Sequence, residues 1–458
     1  MKRSGLALLA VSSLLWLGVA HAATRPQYGG TLRVAMRGIP ASLDPADAAQ
    51  SGSLESGNLS SLVFDTLVTL DGRGRPQPAL AISWRPEPGF QRWQFKLRPG
   101  VTFQDGTPAT ADQVGGSLRA ANPNWKVLPG GDEIIIECDS TSPDLPAELA
   151  IARNAIAKRG GPTILGTGPF AINQWEAGKR LTLTANNDYW AGRPFVDSIE
   201  ITMGQGFREQ MISLDLGKAD LIELPPDQAH HVLGKGQRVE SSSPAELMAL
   251  VFTRDPPSAD EGRLREALAL SIDRTALSSV LLQAGGEAAG SLLPNWMTGY
   301  GFLFPASPDL AGAQRVRGEI RQASAWSLSY DTNDALARVV AERIVLNARD
   351  VSLTVQLSNS TRPDLRLVRT AMVSLDARVA LMATADSLQL PRPQVAGSSS
   401  EYLYAAESML LNLQQVIPVL HLRANYGMNE RVRNWTADPL GTLQLSNVWL
   451  SRDQMTKP

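Results

Sequence analysis

The chain has 458 residues, enough for two or three domains, and its 43 Lys and Arg nearly balance 45 Asp and Glu. No basic stretch is interleaved with aromatics, which argues against a nucleic-acid partner, and 19% charged residues with abundant Gly and Pro suit a turn-rich folded chain, not a coiled coil. The single cysteine, Cys138, excludes an intramolecular disulfide and a thiolate metal cluster.

The chain opens with Lys2 and Arg3, an apolar run from Leu6 to Val19, and Ala20-His21-Ala22. This is the pattern of a cleavable export signal over residues 1–22, with the cut expected between Ala22 and Ala23. The run is shorter than the roughly 20 residues that cross a bilayer, so a mature chain free in the periplasm is expected. "GGTLRVAMR" then reads as a strand, and "SLVFDTLVTLD" as a helix running into a short strand. In "WQFKLRPGVTF", Trp93, Phe95 and Leu97 alternate with Gln94, Lys96 and Arg98, predicting a half-exposed strand turned by Pro99-Gly100. Asp105-Gly106 marks a second tight turn, and Thr110 with Gln113 predicts a capping box at a helix beginning near Ala111. Cys138 reads as a buried residue of the strand in "DEIIIECDS".

"KRLTLTAN" alternates again, and Gly192-Arg193-Pro194 turns the chain into the strand "FVDSIEITM". Leu264, Leu268 and Ile272, then Leu277 and Leu281, mark two helical stretches broken at Asp273. "DALARVVAERIVLNA" predicts an amphipathic helix feeding the strand "VSLTVQLS", so helices and strands alternate as in an α/β chain. The helix "AAESMLLNLQQV" is expected to be stopped by Pro418.

Seven stretches together resemble the extracytoplasmic solute-binding proteins of ABC importers, family 5, the peptide, oligopeptide and nickel group. They are "GGTLRVAMRGIPASLDP", "LVFDTLVTLDGRGRPQPALAISW", "WQFKLRPGVTFQDGTPATADQV", "GTGPFAINQW", "LTLTANNDYWAGRPFVDSIEI", "LREALALSIDRTAL" and "IPVLHLRANYGMN", in the family's order. The resemblance implies an α/β, two-lobed periplasmic binding protein of class II that is cluster C-like. Lobe I would be discontinuous, over 23–47, 164–243 and 419–458. An accessory subdomain would fill 48–163, and lobe II 244–418. The accessory subdomain is trimmed, because only "GGSLRAANPNWKVLPGG" separates "TADQV" from the next strand.

The resemblance also implies that Asp386, which follows Ala385, is the carboxylate that receives a peptide's amino terminus. The match is incomplete, because Ser387 stands where the family has tyrosine and no aromatic closely precedes it. Arg37, with Ile39 and Pro40, follows the first strand where the chain would turn into the cleft, and its guanidinium suits a ligand carboxylate. Trp296 and Tyr300 lie in a Gly- and Pro-rich loop and suit an apolar wall. Trp93, Trp190 and Phe195 read as structural. His230-His231 and His421 do not assemble a metal site, and Gly29-Gly30 and Gly115-Gly116 lack the spacing and lysine of a phosphate loop.

The leading expectation is a substrate-binding component that closes over a small solute, a di- or oligopeptide or another organic metabolite, and delivers it to the transmembrane permease subunits. No catalytic residue, metal or cofactor is expected, and the protein is expected to be a monomer. A second reading is a diverged binding protein serving as sensor, chaperone or scaffold. A secreted hydrolase ranks last, since "GxSxG", "HExxH" and a serine-lysine arrangement are all lacking.

Overall fold

The computed structural model describes residues 25–47, 53–161, 163–283, 285–300, 303–321, 325–395, 397 and 399–451. The expected export signal lies outside them. Among the described residues, no helix is long and apolar enough to cross a membrane.

Strand β1 (Thr31–Ala35) and helix α1 (Leu54–Val63) begin the fold. A smaller layer follows, with β2 (Val68–Leu70), β3 (Pro76–Pro78), β4 (Ala81–Pro86) and β5 (Arg92–Leu97), then α2 (Ala111–Ala121), β6 (Lys126–Gly130), β7 (Glu133–Glu137) and α3 (Leu145–Glu148). The chain returns through β8 (Phe170–Glu176), β9 (Arg180–Ala185), β10 (Ser198–Thr202), α4 (Phe207–Asp215), β11 (Leu221–Leu224) and α5 (Ala229–Gly234). The long strand β12 (Arg238–Phe252) leads into α6 (Ala259–Ser271), α7 (Arg274–Ala276), β13 (Gly286–Ala288), α8 (Asn295–Thr298) and α9 (Leu310–Gly318). Then come β14 (Ala325–Ser329), α10 (Ala335–Asp350), β15 (Thr354–Leu357), β16 (Leu365–Ala371), α11 (Ala377–Ser387) and α12 (Ser400–Asn412). The second long strand β17 (Val416–Met428) and the short pair β18 (Val432–Arg433) and β19 (Trp449–Leu450) complete it.

Eleven strands form one mixed sheet in the order β15-β14-β16-β12-β17-β11-β1-β10-β9-β8, with β13 pairing β17 beside this path. Its two halves meet where β12 and β17 run antiparallel, from Arg238 opposite Met428 to Val251 opposite Val416. At one end β17 also pairs β11, and at the other β12 pairs β16. One apolar core, with Leu32, Phe170, Ile199 and Trp435, packs the first half. Two others cover the faces of the second half, one around Trp326 and Ile344 and one around Leu381 and Leu410. The four-stranded sheet β4-β5-β7-β6 has its own core of Trp93, Phe95, Phe103, Leu118 and Ile134.

The local chemistry explains most of these elements. Trp93, Phe95 and Leu97 point inward from β5, while Gly100 and Gly106 take φ of 76° and 79° at the expected turns. Cys138 lies just past the end of β7 and is only half-buried. Thr110 caps α2 by accepting from Gln113 N, but the reciprocal capping bond does not form. The Thr110 N–H donates to Pro108 O instead, and Gln113 Oε1 meets no partner among the described residues.

Pro418 does not stop α12. The helix ends at Asn412, Gln414 turns the chain at φ 56°, and Pro418 lies inside β17. Its missing N–H is tolerated because the ladder to β12 slips a register between Met248 and Ala249, which faces Pro418. Pro244 in β12 sits between two further slips, after Ser241 and before Glu246.

Candidate functional site

These irregularities around Pro244 weaken the ladder where the halves of the sheet meet, and side chains from both halves converge there. Ser242 Oγ accepts from Ala424 N at 2.9 Å, Ser241 Oγ bonds Asn425 Oδ1 at 2.7 Å, and Arg423 Nη1 donates to Ser242 O at 3.0 Å. Side chains therefore replace part of the lost backbone pairing.

From the first half, the turn after β1 brings Arg37. Its backbone N–H donates to Glu223 Oε2 on β11 at 2.8 Å, and its Nε is sealed from solvent with no acceptor among the described residues. Glu55, in the first turn of α1, lies directly over Gly38, where any Cβ would collide with it. Burial pushes the Glu223 carboxyl up to about 7, aided by repulsion from Glu55 and opposed by Arg37 and the N–H groups of Arg37 and Gly38.

From the second half, Arg369 on β16 donates to Asp334 Oδ2 at 2.8 Å and pairs with Glu246 on β12. Asp334 is also the N-cap of α10, accepting from Leu336 N and Ala337 N. Burial works against the Asp334 charge, but Arg369, the cap bond from Ala337 N and the field of Arg37 outweigh it and hold the carboxyl below its ordinary value. Arg37 thus acts electrostatically on Glu223 in one half and on Asp334 in the other.

Trp296 belongs to the same region. It is partly exposed on α8, and its Nε1–H donates to Pro244 O at 2.7 Å. Tyr300 ends the same loop, and its hydroxyl donates to Glu407 of α12, whose other oxygen receives Leu292 N and, at 3.0 Å, Leu293 N. Ile39 is exposed above the turns at Gly178 and Gly204, and Pro40 beside it is buried.

Asp386 is not brought to this group. It lies in the last turn of α11, not in a turn after a strand, and Arg392 grips both its oxygens at 2.7–3.1 Å. Its surroundings are Glu148 and Arg153 of the smaller layer. His421 is buried, its ring within 3.1 Å of Leu292 O, and burial pushes it down to about 4. Among the described residues, no three His, Cys, Asp or Glu stand together as metal ligands.

Glu223, Glu246, Asp334, Arg369 and Glu55 were not singled out from the sequence. Asp334 alone carried a signal, as an N-cap before an amphipathic run. The rest are paired by contacts spanning many tens of residues, which no local pattern reports.

The family model for bacterial extracellular solute-binding proteins, family 5, middle region, matches residues 75–393. The uncharacterized protein YhjP of Bacillus subtilis is 33% identical over 182 residues, 36% of this chain and 31% of that protein. The nickel-binding protein NikA of Staphylococcus aureus is 25% identical over 244 residues, 50% of this chain and 49% of NikA. The chain thus spans from under a third to about half the length of these two curated relatives. The structure of S. aureus NikA with Ni(L-His)2 superposes with TM-score 0.77 at 16% identity, covering 92% of this chain and all of that one. A dipeptide-binding protein of Pseudoalteromonas with bound Met-Leu gives TM-score 0.78 at 16% identity, again with 92% and 100% covered. The fold is that of a two-lobed α/β binding protein.

Proposed function

Because the chain belongs to the bacterial extracellular solute-binding proteins of family 5, we propose that it is the substrate-binding component of an ABC importer. In this reading it captures a di- or oligopeptide, or a similar small zwitterion, in the cleft at the β12–β17 crossover and delivers it to a membrane permease. It works by ligand-stabilised closure, not bond chemistry. We take residues 1–22 as a cleaved signal, the mature protein as a periplasmic monomer, 23–47, 164–243 and 419–458 as lobe I, 48–163 as the accessory subdomain and 244–418 as lobe II.

The observation that carries the reading is Arg37. Its guanidinium acts on carboxylates in both halves of the sheet, with a buried Nε that lacks an acceptor among the described residues. A ligand carboxylate is the group that would fill it, through charge-assisted bonds in a poorly solvated cleft. Glu55 and Glu223 offer the counter-charge for an amine nearby. Trp296, held to Pro244 O, would form an apolar wall against a side chain of the cargo. Nickel finds less support, since His421 is sealed in the core and the His230-His231 pair lies on α5.

The test begins with native mass spectrometry of the protein purified from its own periplasm, then denaturing release and identification of the bound species. Calorimetric titration of that species into refolded protein should show Arg37→Ala weakening binding at least about tenfold, with Arg37→Lys intermediate. Unchanged affinity in Arg37→Ala would remove the carboxylate anchor. A protein that arrives empty and binds no di- or tripeptide would favour a sensor or scaffold.

A further inference from the structure

Away from the crossover, the smaller layer touches the second half of the sheet along one narrow seam. On one side lie α3 and the turn Ala152–Asn154, and on the other α11. Ala147, Ile151 and Val379 are buried together there, with Leu70, Val373 and Met382 packed around them. The β2–β3 turn joins the contact at Gly74, where a Cβ would stand 2.5 Å from Leu375 O. The rest of the seam is charged. Arg378 Nη2 pairs with Asp144 Oδ2 at 2.8 Å, Arg153 with Glu148 at 3.4 Å, and Arg392 with Asp386. Glu148 and Arg153 share a crevice with Asp386 and Arg392.

We propose that this seam is a proton-coupled clasp, in which the accessory corner closes on α11 and closure takes up protons at Asp144 and Glu148. The inference rests on the reading of a hinged binding protein, because a seam that never opens has nothing to couple.

The chemistry of the seam sets the sign. Burial raises the Asp144 carboxyl to about 6 against the attraction of Arg378, and Asp376 and Glu148 add repulsion. Burial likewise raises Glu148 against Arg153 and Arg392, and Asp386 adds to it. Burial pushes up the Cys138 thiol just past the end of β7, and the charges of Glu148 and Asp139 add to it. Desolvation thus outweighs the ion pairs, and Arg153 and Arg378 each keep a buried Nε without an acceptor among the described residues. Opening returns both carboxyls toward their ordinary values of 3.8 and 4.5. Each is therefore more basic in the closed form, so closure is favoured below pH 4 and progressively disfavoured as pH rises through about 6. For Asp144 alone, the full shift would raise the closed-to-open ratio about tenfold between pH 7.5 and 5, and solvent screening of this partly exposed group cuts the expected rise to roughly threefold.

The test is small-angle X-ray scattering of full-length mature protein, unfolded and refolded beforehand to remove co-purified solute, at pH 7.5 and pH 5.0. The expected result is a radius of gyration that shrinks toward the closed value at pH 5.0. The double variant Asp144→Asn, Glu148→Gln should be equally compact at both pH values. A wild-type protein that samples open and closed forms in the same proportion at both pH values sinks the clasp and leaves the hinge intact. A wild-type protein that is compact at both pH values, and stays compact in Arg378→Glu, sinks the hinge as well. Circular dichroism at both pH values confirms that every sample compared is folded.

Discussion

Glu407 shows how one side chain can govern a loop. It is buried on α12 and gathers Leu292 N, Leu293 N and the Tyr300 hydroxyl, so the segment carrying Trp296 is fastened at a single carboxylate. Burial pushes that carboxyl up to about 7, although the Tyr300 hydroxyl and both N–H groups favour its charge. Because the folded value exceeds the ordinary 4.5, this group's contribution is fully present below pH 4.5 and is lost as pH rises through 7. Thermal unfolding should therefore show wild-type stability falling between pH 5 and pH 8 relative to Glu407→Gln, and a constant difference between the two would contradict this. Glu407→Ala leaves three donors without an acceptor and should cost about 3 kcal/mol in urea unfolding. Asp386→Ala removes only a partly exposed pair with Arg392, so at pH 7.5 stability should change by less than about 0.5 kcal/mol and cargo affinity should hold. A large loss of affinity there would restore Asp386 as the amine anchor. The sequence contrast between these residues is instructive. Arg37 was legible because it follows a clean alternating strand at a predictable turn. Glu407 looked like one more polar position on an amphipathic helix, since its partners lie over a hundred residues earlier.

At the scale of elements, the close approach of α1 to the start of β8 depends on Gly166 and Gly168. A Cβ at Gly168 would lie 2.6 Å from Val63 O, and one at Gly166 would collide with the same carbonyl. Gly168 N also donates to Val63 O at 3.0 Å, so the two backbones cannot part without losing a bond. Gly168→Ala should destabilise the protein by about 1–3 kcal/mol, measured by urea unfolding, and a neutral result would mean that α1 shifts freely. The motif "GTGPF" was visible in the sequence, but its reason was not, because the atom it avoids is a carbonyl a hundred residues earlier. Strands β5 and β9 were readable because half-burial imposes a period of two on their side chains. The end of α12 was not, because Gln414 adopts positive φ without the usual glycine, and a proline in a strand becomes acceptable only once the register of its neighbour is known.

For the whole molecule, the topology divides cooperative behaviour unevenly. Strands β12 and β17 belong to both halves of the large sheet, so unfolding either half exposes the buried edge of the other. The smaller layer shares no strand with that sheet and has its own core around Trp93 and Phe95. Its ties include the seam at α11, the Gln104 side chain, whose Nε2 donates to Val63 O and Phe170 O at 2.7–2.8 Å, and a buried knot at Asp65, which accepts from Thr167 Oγ1, Tyr189 OH and Trp190 Nε1 at 2.8–3.0 Å. A unit with its own sheet and its own core should open at lower free energy than the strands shared by both halves. Native-state hydrogen exchange followed by mass spectrometry should thus show residues 67–156 exchanging as one block. Peptides from β12 and β17 should exchange last and together. Asp65→Ala strips the knot of its acceptor and should widen the gap by accelerating the 67–156 block while leaving β12 and β17 nearly unchanged. If β12 and β17 accelerate equally, the smaller layer is integral to the global unfolding unit, and the two-strand crossover does not by itself set the hierarchy of stability.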